Sequence, residues 1–209
     1  MGSQSHWERI YQTKSPLETS WFEPHLQTSI AWIEEACPDR SASIIDVGGG
    51  ESTLADDLLA RQYRTLTVLD IAEAAIRKSR DRLGPGASSI HWLVGDVTDV
   101  SLAPRAYDAW HDRAVFHFFT DPERRSAYVR QVRSALKIGG HVVLATFGPQ
   151  GPEKCSGLPT QRYDAESLHC ELGPDFQKVR SSVVEHDTPF GTTQQFLYCH
   201  FILSRAPQN

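Results

Sequence analysis

The residues of this chain with the clearest chemical use are an acid, three glycines and two more acids, each at the tip of an apolar run. In Ser43-Ile44-Ile45-Asp46-Val47-Gly48-Gly49-Gly50-Glu51-Ser52-Thr53 a β-branched run gives way to glycines and then to a helix start. Glycine carries no Cβ, so a ligand can lie close against the backbone there. The carboxyl end of such a strand is where open α/β sheets bind their ligands. Val68-Leu69-Asp70 ends a second run in a carboxylate that can accept hydrogen bonds from both hydroxyls of a ribose, with Ile71 beyond it. Val94-Gly95-Asp96-Val97 ends a third in a carboxylate placed to reach an adenine amino group. The chemistry indicated is nucleoside binding. A glycine turn in an unrelated α/β protein explains the loop alone, but not three strand-end features in this order. A nicotinamide-binding domain expects G-x-G-x-x-G/A, and Thr53 stands at the third small position.

A fourth run ends in His111-Asp112-Arg113: an imidazole, a carboxylate and a fixed cation. An imidazole of ordinary pKa, about 6.5, is mostly neutral at pH 7 and can act as a general base. Asp112 or Arg113 would then orient a substrate. A strand-end ion pair that pins Arg113 to the sheet accounts for the same three residues equally well. His117, among Phe116, Phe118 and Phe119, is either a substrate contact or a hydrogen-bonded core histidine. Cys155 lies on a Gly- and Pro-rich loop, where it either meets a soft acceptor or sits passively, the passive reading being preferred. Tyr163, His186 and Gln195 are further candidates for a pocket wall. No H-x-x-x-H or clustered Cys/His spacing suggests a metal.

The elements that must position these groups follow from alternation of short β-branched runs with amphipathic stretches. Strands are expected at Ser43–Val47, Thr65–Asp70, Ile90–Val94, Ala106–His111 and His141–Phe147. Helices are expected near Ser52–Arg61, Ala72–Leu83 and Pro122–Leu136, the last capped by Thr120 or Asp121 and stopped by Gly139-Gly140. Residues 1–38 read as a helical cap, 43–147 as the binding core, and 148–209 as a lid followed by a hairpin, all within one domain. A short helix at Asp164–Leu172 precedes the hairpin strands Phe176–His186 and Thr193–Ser204.

With those elements in place, the sequence resembles the class I S-adenosylmethionine-dependent methyltransferases. Asp46, Gly48 and Gly50 match their D-x-G-x-G motif, Asp70 the acid that holds ribose, and Asp96 the acid that contacts adenine. The resemblance implies a Rossmann-like α/β fold with a seven-stranded, mostly parallel sheet of order 3-2-1-4-5-7-6. Its last strand is antiparallel, helices cover both faces, and a helical cap lies at the N-terminus. It implies S-adenosylmethionine as donor and S-adenosylhomocysteine as product. It also implies a donor site drawn from Trp7, Tyr11, Trp21, Asp46, Gly48, Gly49, Gly50, Asp70, Ile71, Gly95, Asp96 and Val97, because a sulfonium favours aromatic faces. Packing of the cap explains each aromatic singly. His6-Trp7-Glu8-Arg9-Ile10-Tyr11 and the segment from Trp110 to Phe118 are similar to elements of small bacterial methyltransferases. The Asp112-Arg113-Ala114 part is similar to thiopurine and thiol methyltransferases.

Composition narrows the acceptor. The chain has 209 residues, with 21 Lys+Arg against 26 Asp+Glu, a formal net charge of −5. That leaves no electrostatic footprint for nucleic acid or an anionic membrane. There is no apolar run of membrane-spanning length, no signal peptide and no C-x-x-C pair among the four cysteines, so a soluble cytoplasmic protein is expected. A small-molecule thiol is the leading acceptor, because thiols ionise near neutrality and lysine does not. Transfer to a protein lysine is the alternative, and a non-catalytic donor-binding module a third reading.

Overall fold

The protein is described here by a computed structural model, which covers residues 2–204. Met1 and residues 205–209, the outer ends of the expected cap and hairpin segments, lie outside the described residues. Five parallel strands come first: β1 (Ser43–Val47), β2 (Thr65–Asp70), β3 (Ile90–Val94), β4 (Tyr107–Arg113) and β5 (Leu136–Phe147). A two-strand ladder, β6 (Lys154–Cys155) with β7 (Leu158–Pro159), interrupts the expected lid loop. The hairpin β8 (Phe176–Asp187) and β9 (Thr193–Leu203) completes the main sheet in the order 3-2-1-4-5-9-8. Without the small ladder in the count, this is the expected order. β9 runs antiparallel to both β5 and β8. No described helix is long and apolar enough to cross a membrane.

Strand alternation distributes the two cores. Ile44 of β1 faces a layer built from α1 (Gln4–Thr13), α2 (Gln27–Ala36), α3 (Leu54–Ala60) and α4 (Glu73–Leu83). Ile45 and Val47 face α5 (Pro122–Ala135) and α6 (Ala165–Leu172). Buried on both sides, β1 is apolar at Ile44, Ile45 and Val47, as central parallel strands are, with Asp46 the exception near its end.

Two element ends differ from expectation, and both bear on the site. β4 runs two residues further, to Arg113, because Asp112 and Arg113 stay in register with Leu144 and Ala145 of β5. His111, Asp112 and Arg113 therefore alternate between faces instead of projecting together from a loop. At the other end, α5 stops at Ala135, and Gly139-Gly140 lies inside β5. The last helical carbonyls are taken by the entry to β4. The Arg105 and Ala106 backbone amides donate to Ser134 and Ala135. The Arg105 guanidinium donates to the Arg133 and Leu136 carbonyls. The helix ends where its acceptors are satisfied from outside.

Asp112 shows what alternation does to a polar residue on the inner face. It is 0% exposed, and it accepts from the amides of Val115 and Phe116. The Tyr128 hydroxyl of α5 donates to it at 2.6 Å and itself accepts from Trp110 Nε1 at 2.9 Å. Burial raises the Asp112 carboxyl to about 6, against the opposing pull of these hydrogen bonds. Removing one hydroxyl would strand a buried donor and a buried acceptor together. Tyr128→Phe is expected to lower stability by about 2–3 kcal/mol, read as a reduced urea midpoint at unchanged slope. A midpoint equal to wild type would mean that Asp112 and Trp110 find other partners.

Candidate functional site

At the carboxyl ends of β1, β2 and β4 the chain forms a partly open cleft, in the place where open α/β sheets bind their ligands. Its wall is built element by element. Val47 and Gly48 leave β1; Leu69, Asp70 and Ile71 end β2; Gly95 and Val97 follow β3; Arg113, Ala114 and Val115 end β4. Trp7 and Tyr11 of α1, with Trp21, form the roof, and Phe118 and Cys155 close one side. A second cleft shares Tyr11, Trp21, Gly48 and Arg113 with the first. It continues past Asp46, Gly49, His111, Glu23 and Glu51.

The glycines are required sterically. Gly48 has φ +68°, and a Cβ there would lie 2.0 Å from Val115 Cγ2. Ala114, also left-handed at φ +72°, turns the chain after β4 so that Val115 can approach that closely. Gly50, at φ +40°, sits between the Tyr11 hydroxyl and Oδ2 of Asp70, 2.8 and 2.9 Å from the place of its missing Cβ.

The aromatic roof is mutually packed. Trp7 meets Phe118 at 5.1 Å and Trp21 at 5.9 Å between ring centroids, and Tyr11 meets Trp21 at 6.5 Å. Arg113 holds the roof down from beneath. Its guanidinium donates to the Trp21 carbonyl at 2.8 Å and to Glu23 at 3.2 Å, and it lies 4.4 Å from the centroid of Phe196. The reading of Arg113 as half of a strand-end ion pair is thus changed in its partner: the pair joins the cap loop to the sheet.

Asp70 is buried, and one oxygen accepts from the Ala72 amide at 2.8 Å. Burial lifts its carboxyl to about 7, with the neighbouring Asp46 carboxylate pushing the same way. The Tyr11 phenol is pushed well above its usual range, first by burial and then by Asp70.

Several expected site residues go elsewhere, for physical reasons. Asp112 faces α5 and is spent on the turn after β4, so it does not orient a substrate. His111 is 1% exposed with both ring nitrogens engaged, by Asp46 at 2.7 Å and Ser29 at 2.8 Å, so it offers no free base. His117 is a core histidine. It is fully buried, stacked on Phe147 at 4.3 Å, and accepts from the Phe147 amide through Nδ1, while burial drops its pKa to about 3. Tyr163 packs on Phe116 in the core on the far side of the sheet. His186 holds the cap instead, with Nε2 2.9 Å from the Ser20 carbonyl. Gln195 accepts from the Gln150 amide at the base of the lid. Asp96 turns onto Thr98 and Arg124, whose bonds outweigh burial and hold its carboxyl below the usual range. The cleft wall at that point is Gly95 and Val97. Cys155 does line the cleft as a buried thiol raised by burial. Ser29, Val115 and Phe118 were not singled out by spacing. Ser29 has no sequence signal, whereas Phe118 sits in an aromatic run.

S-adenosylmethionine, the donor implied by the sequence, carries a sulfonium, an ammonium, a ribose diol and a flat base. The chain answers with aromatic faces over the cleft, a buried Asp70 carboxyl, apolar walls at Leu69, Ile71 and Val97, and Oδ2 of Asp46, buried with no partner. These residues fit that group.

A family profile described as a methyltransferase domain matches residues 44–140. Human EEF1A lysine methyltransferase 2 is 24% identical over 189 residues, covering 78% of this chain and 79% of that protein. Malonyl-[acyl-carrier protein] O-methyltransferase of Anoxybacillus flavithermus is 29% identical over 159 residues, covering 73% and 58%. Among solved structures, one described as the conversion of a disulfide bond into a thioacetal group during echinomycin biosynthesis superposes with TM-score 0.77 at 17% identity, covering 96% of this chain and 91% of the other. The 1,6-didemethyltoxoflavin-N1-methyltransferase of Burkholderia thailandensis, with bound 1,6-didemethyltoxoflavin and S-adenosylhomocysteine, does so with TM-score 0.75 at 15% identity, covering 97% and 87%.

The raised Asp70 carboxyl has a consequence for the protein alone. Between about pH 4 and 7 the folded chain keeps a proton there that the unfolded chain releases. Its contribution to stability is therefore full at low pH and is lost as pH rises through about 7. Asp70→Asn is expected to melt above the wild type near pH 8, with the gap closing toward about pH 4 in thermal scans. A variant less stable than wild type at both values would contradict this origin of the shift.

Proposed function

We propose that this chain, which belongs to the class I S-adenosylmethionine-dependent methyltransferases, transfers the methyl group to a small thiol. Asp70 takes the ribose hydroxyls, Asp46 the ammonium, and Trp7, Tyr11 and Trp21 cover the sulfonium, which supplies an already activated methyl group. The protein's remaining work is to align the acceptor and exclude water.

One observation carries the choice of acceptor. The imidazole and the carboxylate that end β4 are both committed to buried partners, so neither is free to take a proton from a nucleophile. An acceptor that ionises by itself suits such a site. A thiol of pKa about 8.5 is a few per cent thiolate at pH 7, whereas an amine of pKa about 10.4 is almost wholly protonated. The acceptor would lie between Phe118, Cys155 and Trp21, where the cleft is apolar and aromatic. The structural relative described by thioacetal formation concerns sulfur chemistry, which favours the same reading.

Protein lysine methylation is the second reading. The lysine methyltransferases among the sequence relatives favour it, as do the carboxylates of Glu23 and Glu51 along the second cleft. Labelled donor incubated with purified chain, a panel of small thiols and amines, and a cell lysate separates the two. Label is expected in small thiols, at a rate rising with pH along the ionisation of each thiol. Label confined to protein bands would favour the lysine reading instead. In the same assays Asp70→Asn is expected to weaken donor binding by at least about tenfold, since the ribose loses a charged acceptor. Unchanged affinity in calorimetry would remove Asp70 from the donor site.

A further inference from the structure

Three buried polar side chains stand in a row behind the glycine loop. Asp46 of β1 and His111 of β4 are register partners, and Nδ1 of His111 lies 2.7 Å from Oδ1 of Asp46. On the other side of the ring, Nε2 lies 2.8 Å from Oγ of Ser29, which α2 lowers onto the sheet. Asp, His and Ser in this order make the constellation of a hydrolytic triad. Here it presents no nucleophile: Ser29 is 0% exposed, and its hydroxyl has Tyr198 at 3.4 Å. The end of the row that meets ligand space is Asp46. Its Oδ2 is buried without a partner, and the place of a Cβ on Gly49 is 2.6 Å away from it.

The terminal torsion of an aspartate is broad, so a carboxylate with one oxygen fixed is a far better aimed acceptor than a free one. We propose that His111 and Ser29 are positioning residues of the donor site. They clamp Oδ1 of Asp46 so that Oδ2 is presented to the ammonium group of S-adenosylmethionine. Register alone brings His111 beside Asp46, but only the hydroxyl from α2 fixes the ring's far nitrogen, so the orientation of the carboxylate depends on three elements. The inference rests on the donor and not on the acceptor, and a failure of the thiol reading leaves it standing.

The test compares two ligands that share the adenosine and thioether. S-adenosylhomocysteine carries the amino-acid ammonium and carboxylate; 5′-methylthioadenosine lacks both. Their dissociation constants are measured by calorimetry for wild type, His111→Ala, His111→Asn and Ser29→Ala. His111→Ala is expected to weaken S-adenosylhomocysteine by about tenfold, the scale of one charge-assisted hydrogen bond, while methylthioadenosine changes by less than about twofold. Ser29→Ala gives a smaller loss of the same selectivity. His111→Asn, whose amide can donate from near the Nδ1 position, recovers part of the affinity. A loss shared equally by the two ligands would make the row merely structural, and no loss for either would free Asp46 from it; both outcomes overturn the proposal. Should His111→Ala fail to fold, the Ser29→Ala comparison decides in the same way.

Discussion

Two carboxylates buried side by side at the ends of adjacent parallel strands are a poor arrangement for a chain left to itself. Asp46 and Asp70 are each about 5% exposed, and burial together with the Asp46 carboxylate raises the cost of charging Asp70. Structure elsewhere concentrates on tolerating that pair. Hydrogen bonds from the turn after β2 serve Asp70, and a histidine serves Asp46. A ligand that brings positive charge and hydroxyl donors would relieve that tension. Stability given up at a binding site is a common exchange for function.

The same support holds the glycine loop and the cap. Ser79 of α4 donates to the Gly50 carbonyl at 2.6 Å, and Arg82 spans the Glu51 and Ser52 carbonyls and the Asp56 carboxylate. Glu8 of α1 accepts from the Ala74 amide at the start of α4, and Lys78 donates to the Lys14 carbonyl at the end of α1. One helix, α4, thus holds both the glycine loop and the helix that roofs the cleft. These contacts between α1 and α4 tie the roof of the cleft to the helix that supports the loop.

Much of this was legible in the sequence, for identifiable reasons. Alternating apolar runs imply a parallel sheet, and the resemblance carried by Asp46, Gly48, Gly50 and Asp70 supplied its strand order, because those residues report backbone requirements at strand ends. The cap aromatics Trp7, Tyr11 and Trp21 were legible by type, since aromatic faces suit a cation, and all three line the cleft. His111-Asp112-Arg113 was misread as a group because β4 continues through it, and a strand sends neighbours to opposite faces. Asp112 meets Tyr128, Arg113 meets the cap, and His111 meets a serine from α2 that has no motif of its own. Polar residues whose partners lie on other elements, 16 to 92 positions away in sequence, cannot be assigned from spacing.

What remains at the acceptor's side is an environment more than a set of reagents. Phe118, Trp21, Trp7 and the neutral thiol of Cys155 present little polarity, and Arg113, which does carry charge, is occupied with the Trp21 carbonyl and Glu23. For the proposed thiol acceptor, methyl transfer from a cation to a thiolate disperses opposite charges as it proceeds, so water, which stabilises the separated ions best, slows it. A roof that excludes water and an aromatic wall that tolerates a cation act on that difference directly. Arg113, tied to the cap from the end of β4 and resting on Phe196 of β9, joins the roof of the cleft to two strands of the sheet.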